Sequence, residues 1–196
     1  MRKAVIHFEK QMEYKMNSIK SFKSKIIILI LIIILQSPLI TFAQENAAVY
    51  NRDTLITTAK KMMETTRYCA LITLDTTGYP DARTMEPFSP DSNMIVWLGT
   101  SINSRKVKQI KNDSKVTLYY QAQNAAGYVV IKGQAYVVQD SLKKQTYWKK
   151  EWDRFYSEDK SEYTLIKVIP EKLEVIDYQH GIFGDSKTLD VPFVKF

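Results

Sequence analysis

Residues 94–106 read Met-Ile-Val-Trp-Leu-Gly-Thr-Ser-Ile-Asn-Ser-Arg-Lys and combine a strand, a polar link and the start of a helix. The apolar run Met94–Leu98 is typical of a buried strand. The small polar residues Gly99–Asn103 form the predicted link. Val107 and Ile110, three residues apart, then give the following segment the apolar face of a helix.

Two cations, Arg105 and Lys106, fall in the first turn of this helix, directly after Asn103 or Ser104 as the expected N-cap. The helix dipole disfavours each cation at this end by about 0.3–1 kcal/mol. Free backbone N–H groups, hydroxyls and cations at a helix N-terminus together form a phosphate-binding site. A solvated basic helix explains the same residues, because lysines continue at positions 108, 111 and 115. From this segment alone both interpretations stand.

The first 43 residues have the pattern of a secretory signal peptide. Lysines precede ten unbroken aliphatic residues, Ile26–Leu35, and Thr41-Phe-Ala43 supplies a cleavage site after Ala43. Met16 is the predicted initiator, because the region ahead of the apolar run is otherwise unusually long. A membrane span needs about 20 apolar residues, so an uncleaved membrane anchor is the alternative. We therefore expect an exported protein, periplasmic or secreted, without stable membrane insertion once the leader is removed.

The chain has 28 Lys and Arg against 21 Asp and Glu, but seven of the basic and two of the acidic residues lie in the leader. The predicted domain, residues 44–196, therefore has a net charge of only +2, which argues against a nucleic-acid partner. This domain has one cysteine, Cys69, which we expect to be buried, and one histidine, His180. A single cysteine excludes a disulfide within one chain, and one cysteine with one histidine excludes a Cys/His metal cluster there. Redox chemistry would need a cofactor.

The periodicity of residues 50–178 predicts a mainly β (α+β) fold. One helix covers residues 52–66, and another covers residues 140–156 with Asp140 as its cap. The apolar stripe of the latter consists of three aromatic residues, Trp148, Trp152 and Phe155. The predicted strands are Tyr68–Leu74, Tyr79–Met85, Met94–Leu98, Lys115–Tyr120, Gly127–Val138, Tyr163–Ile169 and Leu173–Tyr178. Strands in antiparallel succession favour a closed or nearly closed barrel with peripheral helices.

Three segments give this domain a family resemblance. The hairpin 74–85 reads Leu-Asp-Thr-Thr-Gly-Tyr-Pro-Asp-Ala-Arg-Thr-Met, and it is followed by Thr100-Ser-Ile-Asn-Ser-Arg-Lys106 and by Tyr163–Asp177. In this order and spacing the segments resemble the pyridoxamine 5'-phosphate oxidase-like, FMN-binding split barrels, and in particular the general stress protein 26 branch. The resemblance covers residues 50–178. It implies a six- to seven-stranded antiparallel split β-barrel with peripheral helices.

The resemblance also implies FMN as the cofactor and assigns seven residues to it. They are Arg83, Thr84, Met85, Thr100, Ser101, Arg105 and Lys106. Arg83 would lie along the flavin and its phosphate tail, with the next two residues beside the isoalloxazine ring. The two hydroxyl residues would face the ribityl phosphate, and the two cations that follow would neutralise it. The same helix start is the one that the residues alone mark as an anion site.

The family binds two flavins at the interface of a homodimer, so the resemblance implies a homodimer here as well. An aromatic residue of the second subunit would then complete the site. The candidates are Tyr128, Trp148 and Trp152. Aromatic residues at helical spacing are more often part of a core, which is the alternative for the two tryptophans.

Two departures separate the sequence from the namesake oxidase. Phe88 stands where the oxidase has a lysine that touches cofactor and substrate, and residues 179–187 lack the Arg-x-His element of the oxidase. A site without these cations loses selectivity for a phosphorylated vitamer. We therefore expect the fold and the flavin, but not pyridoxamine 5'-phosphate oxidase activity.

Three functions are compatible with these residues. The first is an exported FMN-dependent oxidoreductase that acts on an unidentified small molecule. The second is a non-enzymatic protein that binds or sequesters FMN, haem or a similar planar ligand. His180 is then the one conventional haem ligand of the domain, although we expect an exposed loop position for it. The third is a structural or interaction domain with an empty site. No catalytic residue is assigned, and no metal site is expected.

Overall fold

The computed structural model describes Met16 and residues 50–156 and 160–196. The predicted leader, residues 1–43, and the predicted start of the domain at residue 44 lie outside this range, except for Met16. The helices are α1 (Arg52–Thr65), α2 (Arg105–Asn112) and α3 (Ser141–Thr146). The strands are β1 (Cys69–Leu74), β2 (Pro80–Met85), β3 (Val96–Ser101), β4 (Lys115–Gln121), β5 (Gly127–Val138), β6 (Tyr163–Asp177) and β7 (Phe193–Lys195). None of the helices in the described residues has the length and apolar character that crossing a bilayer requires.

The seven strands form one antiparallel sheet that closes on itself as a barrel. The hydrogen-bonded order is β2-β1-β4-β5-β6-β3, and β7 pairs with β6. In the described residues, the bridge that joins the β2 edge to β3 lies between Pro87 and Leu98. Beside it the Phe88 N–H donates to the Trp97 carbonyl at 2.9 Å. We call the boundary between β2 and β3 the seam. The predicted six- to seven-stranded antiparallel split β-barrel with peripheral helices is confirmed.

Alternate residues of the strands fill the barrel. In β1, Cys69, Leu71 and Thr73 are each at most 3% exposed, as the two-residue period of a strand requires. The low exposure of Cys69 confirms the prediction of a buried cysteine, and this burial raises the pKa of its thiol to about 12. Asn51 caps α1, and its side chain accepts the Asp53 N–H at 2.9 Å. The buried residues of α1 are Leu55, Ala59, Met62 and Met63.

β6 replaces two strands that were predicted on either side of Pro170. It runs unbroken over Tyr163–Asp177. The register against β5 shifts at Gly133, which pairs with Pro170 and leaves Glu171 as an extra residue on β6. Proline cannot donate a ladder hydrogen bond, and a bulge accommodates it within a strand. The prediction of two strands was therefore wrong, because Pro170 marks a bulge and not a turn.

The helix predicted over residues 140–156 is two short pieces. Asp140 caps α3 as expected, because its carboxylate accepts the Lys143 N–H at 2.7 Å. The helix ends at Thr146, and a separate 3₁₀ turn covers Lys150–Arg154. The single-helix prediction was wrong, because the aromatic residues of this segment pack on the sheet and not along one helical stripe.

An aromatic layer covers the outer face of β3 and β6. Its members are Phe88, Trp97, Tyr147, Trp148, Trp152, Tyr156 and Tyr163. Trp148 meets Tyr163 edge-on, with ring centroids 4.8 Å apart. A Cβ on Gly99 would lie 2.4 Å from the Trp152 ring, so glycine is required for this packing. Phe155, predicted on the apolar stripe, is 66% exposed and lies outside the layer.

Candidate functional site

Three cations gather where the seam meets α2: Arg83 of β2, and Arg105 and Lys106 of the first turn of α2. Burial is the largest cause that lowers the pKa of Lys106, and the positive charges of Arg83 and Arg105 lower it further. Burial also lowers the pKa of Arg83, an effect that Asp81 opposes and Arg105 reinforces. We call these three residues the cation cluster. Like charges held together in this way are stabilised by a bound anion.

Lys106 is partly buried and its hydrogen-bond partner is neutral. Its Nζ donates to Thr100 Oγ1 at 3.0 Å. The salt bridges of the described residues include none that involves Lys106. A charge removed from water without an opposite charge nearby is unfavourable. Lys106 is therefore the residue that most directly indicates an anionic ligand at this site.

Thr100 and Ser101 belong to β3 and not to the predicted polar link. Their backbone pairs with β6, where Thr100 lies opposite Thr164. The prediction of a loop was wrong at these two residues and at Gly99, because pairing with β6 outweighs the turn preference of Gly, Thr and Ser. As a consequence, strand pairing and burial to 6% exposure fix the Thr100 hydroxyl beside Lys106.

Ser104 is the N-cap of α2, and its hydroxyl faces the site. It forms no side-chain hydrogen bond with the helix, but accepts a long hydrogen bond of 3.4 Å from Thr100 Oγ1. The first N–H groups of α2 thus lack a side-chain cap, as an anion-binding helix start requires. Sequence reasoning named Ser104 as a cap, but did not include it among the cofactor-binding residues.

A buried glutamine connects α2 to the first two strands. Gln109 is 7% exposed. Its Oε1 accepts from the Thr73 hydroxyl at 2.6 Å and from Arg83 Nη2 at 2.9 Å. Its Nε2 donates to Asp81 Oδ2 at 2.6 Å. Arg83 Nη1 also donates to Thr73 Oγ1 at 2.6 Å. This network of four side chains fixes the first turns of α2 against β1 and β2.

Sequence reasoning missed Thr73, Asp81 and Gln109. A signal for Gln109 exists, because it lies between Val107 and Ile110 on the side of α2 that packs inward. A polar residue there requires a buried partner. Asp81 shares a strand face with Arg83, two residues away. Thr73 carries no such signal, since its partners come from other elements.

The guanidinium of Arg83 is hydrogen-bonded to other groups of the protein, which differs from its predicted role along the flavin. Its terminal nitrogens donate to the Leu71 carbonyl, Thr73 and Gln109. Of its two neighbours on β2, Thr84 is exposed on the opposite face and Met85 is buried in the core. The structure therefore holds Arg83 at the cation cluster, whereas Thr84 points to the opposite face and Met85, on the same face as Arg83, packs into the core.

Of the seven predicted residues, four come together and three do not. Those that meet are Arg83, Thr100, Arg105 and Lys106. The other three are Thr84, Met85 and Ser101. The Ser101 hydroxyl instead accepts the Asn103 N–H at 3.3 Å.

At the opposite end of β2, Phe88 packs into the aromatic layer. Its ring meets Tyr147 edge-on at 5.0 Å, and the Lys149 ammonium lies 5.0 Å from its centroid. A cavity of about 310 Å³ opens beside Phe88. Glu86 on its rim pairs with Lys149 at 3.4 Å and with Arg67 at 3.3 Å. The charges at this end balance one another, in contrast to the cation cluster.

His180 lies in the 3₁₀ turn Tyr178–His180, and the expected exposed position is confirmed, with 55% of its side chain accessible. Its Nδ1 is 2.6 Å from Asp177 Oδ2. The described part of the chain contains no group of three or more His, Cys, Asp or Glu residues arranged to hold a metal ion.

The three aromatic candidates for a second subunit differ in their surroundings. Trp148 and Trp152 are packed in the aromatic layer of their own chain. Tyr128 lies on the outer face of the sheet, stacked on Tyr119 with centroids 5.7 Å apart. Its side chain is partly exposed and remains accessible to another molecule.

Comparison with known proteins identifies one family and one fold. The profile of the family described as Pyridoxamine 5'-phosphate oxidase like matches residues 55–185. The crystal structure of general stress protein 26 from Bacillus anthracis str. Sterne is similar with a TM-score of 0.59 and 20% identity. That match covers 72% of this chain and 98% of the Bacillus chain. No match was found among the curated proteins.

Two further similar structures are those of ligand-binding proteins. A pyridoxamine 5'-phosphate oxidase-related, FMN binding protein from Nostoc punctiforme matches with a TM-score of 0.52 and 13% identity, over 76% of this chain and 98% of that one. A heme binding protein from Mycobacterium smegmatis matches with a TM-score of 0.54 and 16% identity, over 65% of this chain and 55% of that one. At these identities the likeness shows the fold alone.

Proposed function

Because the chain belongs to the pyridoxamine 5'-phosphate oxidase-like family, we propose that it binds FMN with the phosphate at the cation cluster. The observation that carries this proposal is Lys106, which is partly buried, donates to a neutral hydroxyl and has no carboxylate partner in the described salt bridges. A phosphate monoester has a charge of about −1.5 to −2 at pH 7 and supplies the missing opposite charge.

The residues present fit a phosphate group. Arg105 and Lys106 would neutralise its charge, and Thr100 and Ser104 would offer hydroxyl groups at the start of α2. Arg83 would attract the phosphate through its charge and not through a direct hydrogen bond, because its guanidinium is already bonded to Thr73 and Gln109. The remaining predicted contacts follow from the family resemblance: Ser101 at the phosphate, and Thr84 and Met85 beside the ring.

Bound FMN would supply the hydride and electron transfer chemistry, so the protein needs no nucleophile or metal of its own. We place it among flavin-dependent oxidoreductases that act on a small molecule. Phe88 supports a substrate other than a phosphorylated vitamer, because it packs among aromatic rings where the namesake oxidase has a lysine. The leader pattern supports export to the periplasm or the outside of the cell.

A homodimer would complete the site, and one face of the barrel is suited to it. The outer faces of β2, β1, β4 and β5 carry several small, apolar and aromatic side chains that are exposed or partly buried. They are Ala70, Ile72, Ala82, Thr84, Tyr119, Tyr128 and Val130. We call this patch the open face. Obligate dimers typically bury more than about 2,000 Å² in total, and a second subunit on the open face would cover the partly exposed Tyr128.

Haem binding is the second candidate, and the Asp177–His180 pair favours it. A histidine whose Nδ1 is held by a carboxylate presents Nε2 in the manner of many metal-binding histidines. Its neighbours Tyr178 and Phe183 are exposed aromatic residues, 5.9 Å apart between ring centroids. The opposing observation is that the imidazole lies on the surface, without the enclosing pocket that haem ligation requires.

The absorbance spectrum of the protein isolated from its native compartment tests these alternatives. A yellow protein with flavin bands supports FMN binding, and a red-brown protein with a Soret band supports haem binding. A colourless protein is then titrated with FMN, riboflavin and haem. Tight binding of FMN, with weak binding of riboflavin, is the expected result. Failure to bind any of the three would overturn both candidates and favour a domain with an empty site.

A further inference from the structure

The carboxylate of Asp81 lies beside the cation cluster and pairs with two of its three members. Its Oδ2 is 2.6 Å from Gln109 Nε2, 3.3 Å from Arg105 Nε and 3.7 Å from Arg83 Nη2. The charged groups that pair with it in the described residues are Arg83 from its own strand and Arg105 from α2. A carboxylate oxygen held by one hydrogen bond and two ion pairs with arginine resembles a phosphate oxygen in its charge and its partners.

We infer that Asp81 competes with the ligand phosphate for Arg105 and thereby determines how tightly the site binds phosphate esters. This inference rests on the proposed binding of FMN phosphate at the cation cluster. Without ligand, Arg105 pairs with Asp81. With ligand, Arg105 turns to the phosphate and Asp81 remains behind as a fixed negative charge.

The two arginines differ in their freedom to make this exchange. The Arg105 side chain is 72% exposed and contacts Asp81 through Nε. The Arg83 side chain is 16% exposed and is bonded to Leu71, Thr73 and Gln109. Breaking one exposed ion pair costs little, because the charges are largely solvated. Breaking the buried network leaves polar groups without partners. Arg105 is therefore the cation that moves.

Asp81 does not leave with Arg105. Gln109 Nε2 holds its Oδ2 at 2.6 Å, and Arg83 remains nearby. A fixed negative charge beside the binding position weakens the attraction of the cluster for any anion. Only a ligand that gains affinity from another part, such as a flavin ring, then binds tightly. Asp81 in this sense sets the affinity of the site, because its charge weakens the binding of free inorganic anions and of phosphate esters alike.

The test is Asp81→Asn, which removes the charge but keeps an acceptor for Gln109. FMN should bind about three- to tenfold more tightly than to the wild type, and inorganic phosphate should gain by a similar factor. Riboflavin, which lacks the phosphate, should bind unchanged. FMN and riboflavin are measured by flavin fluorescence, and inorganic phosphate by the rise in melting temperature that it causes. Glu171→Gln, an exposed site whose side chain accepts from Gln134, controls for the change in net charge.

A double-mutant cycle identifies the residue that moves. In an Arg105→Ala background, Asp81→Asn should give a smaller gain in FMN affinity than in the wild type, because the competing pair is already absent. If the Asn variant does not fold, Asp81→Ser repeats the measurement with the charge removed.

The outcomes separate this inference from the proposed function. Asp81→Asn that weakens FMN alone, or FMN and riboflavin equally, overturns the inference, since Asp81 would then position the cations or the fold. A wild type that binds no FMN contradicts the proposed function, and the melting temperatures with inorganic phosphate still test the competition. If inorganic phosphate raises the melting temperatures of the wild type and of Asp81→Asn equally, the inferred competition is overturned.

Discussion

Lys106 of α2 and Thr100 of β3 are joined by a hydrogen bond of 3.0 Å from the ammonium to the hydroxyl. The bond connects the start of the helix to the end of the edge strand that precedes it. The hydroxyl uses one of the three ammonium donors and neutralises none of the charge. The pair therefore holds the first turn in place while two donors and a full positive charge remain for a ligand.

Replacing Arg105 and Lys106 together with alanine should strongly weaken FMN binding. Each charge-assisted hydrogen bond that is lost contributes about 1.5–3 kcal/mol. The ligand-free fold should be as stable as before or slightly more so, because two cations leave a helix N-terminus. Fluorescence titrations with FMN and riboflavin, with thermal melts of the ligand-free proteins, measure both effects.

The matched control for this variant is Lys108→Ala with Lys111→Ala, which removes two exposed cations from the same helix. It should leave FMN affinity within a few-fold of the wild type, as expected for screened surface charges. If the control loses as much FMN affinity as the Arg105 and Lys106 variant, then the net positive charge of α2, and not a specific contact with the phosphate, determines the affinity.

Lys106→Met should raise the stability of the ligand-free protein at neutral pH and lose this advantage in alkali. Burial and the two arginines lower the pKa of Lys106 in the folded state, whereas the unfolded value is about 10.4. The unfolded chain then binds this proton more tightly, so wild-type stability rises relative to the variant as the pH increases from the lowered pKa towards about 10.4. Thermal melts of both proteins between about pH 7 and about pH 10 follow the difference.

Lys108→Met provides the comparison for this series, because Lys108 is exposed on the same helix. Its stability difference from the wild type should stay nearly constant over the same pH range. A constant difference for Lys106→Met as well would show that Lys106 is not destabilised in its folded environment.

Gly99→Ala should destabilise the protein by about 1–3 kcal/mol, the usual effect of overpacking. The added methyl group would lie 2.4 Å from the Trp152 ring and 2.8 Å from the Tyr163 ring. Chemical denaturation measures the loss. Trp152→Leu in the same chain should recover part of it, because the smaller side chain vacates the contact. If the stability losses of the two single variants simply add in the double variant, the contact with Trp152 is not the reason why Gly99 is required.

Tyr119→Glu should convert the proposed homodimer into monomers and weaken FMN binding. Tyr119 lies on the open face and stacks on Tyr128, so a charge there would be buried without a partner in the dimer. Light scattering gives the assembly state. Tyr136→Glu, at a residue that is 49% exposed on β5 outside this patch, should leave the dimer intact. A wild-type protein that is a stable, flavin-loaded monomer would rule the dimer out.

The mature protein should begin at Gln44. Cleavage after Ala43 follows from the apolar run Ile26–Leu35 and the small residues Thr41 and Ala43. The intact mass of the protein from its native compartment decides this. A mass that retains Ile26–Leu35 would show a membrane anchor in place of a removed signal peptide.

Features of the fold that depend on neighbours in sequence were predictable. Asp140 was identified as a cap, and Cys69 as a buried residue, from the few residues around each. Thr100 and Ser101 were placed in a loop because their strand character comes from pairing with β6, a distant segment. Pro170 suggested a turn because the bulge that accommodates it is a property of two strands together.

The candidate site divides in the same way. Arg105 and Lys106 were predictable because two cations at a helix start are unusual on local grounds alone. The network around Gln109 was not, because its partners Thr73, Asp81 and Arg83 come from β1 and β2. Each of these residue types is common in strands and helices without such contacts, and only the folded chain shows that they bind one another.

The bridge between Pro87 and Leu98, which joins β2 to β3 in the described part of the chain, has an evolutionary consequence. Substitutions along the edges of β2 and β3 alter the surroundings of a ligand without interrupting the continuous ladder from β1 through β4 and β5 to β6. Selection can therefore exchange residues at this boundary while the rest of the sheet keeps its pairing. A barrel built in this way can diversify in ligand and chemistry over long divergence and still retain its architecture.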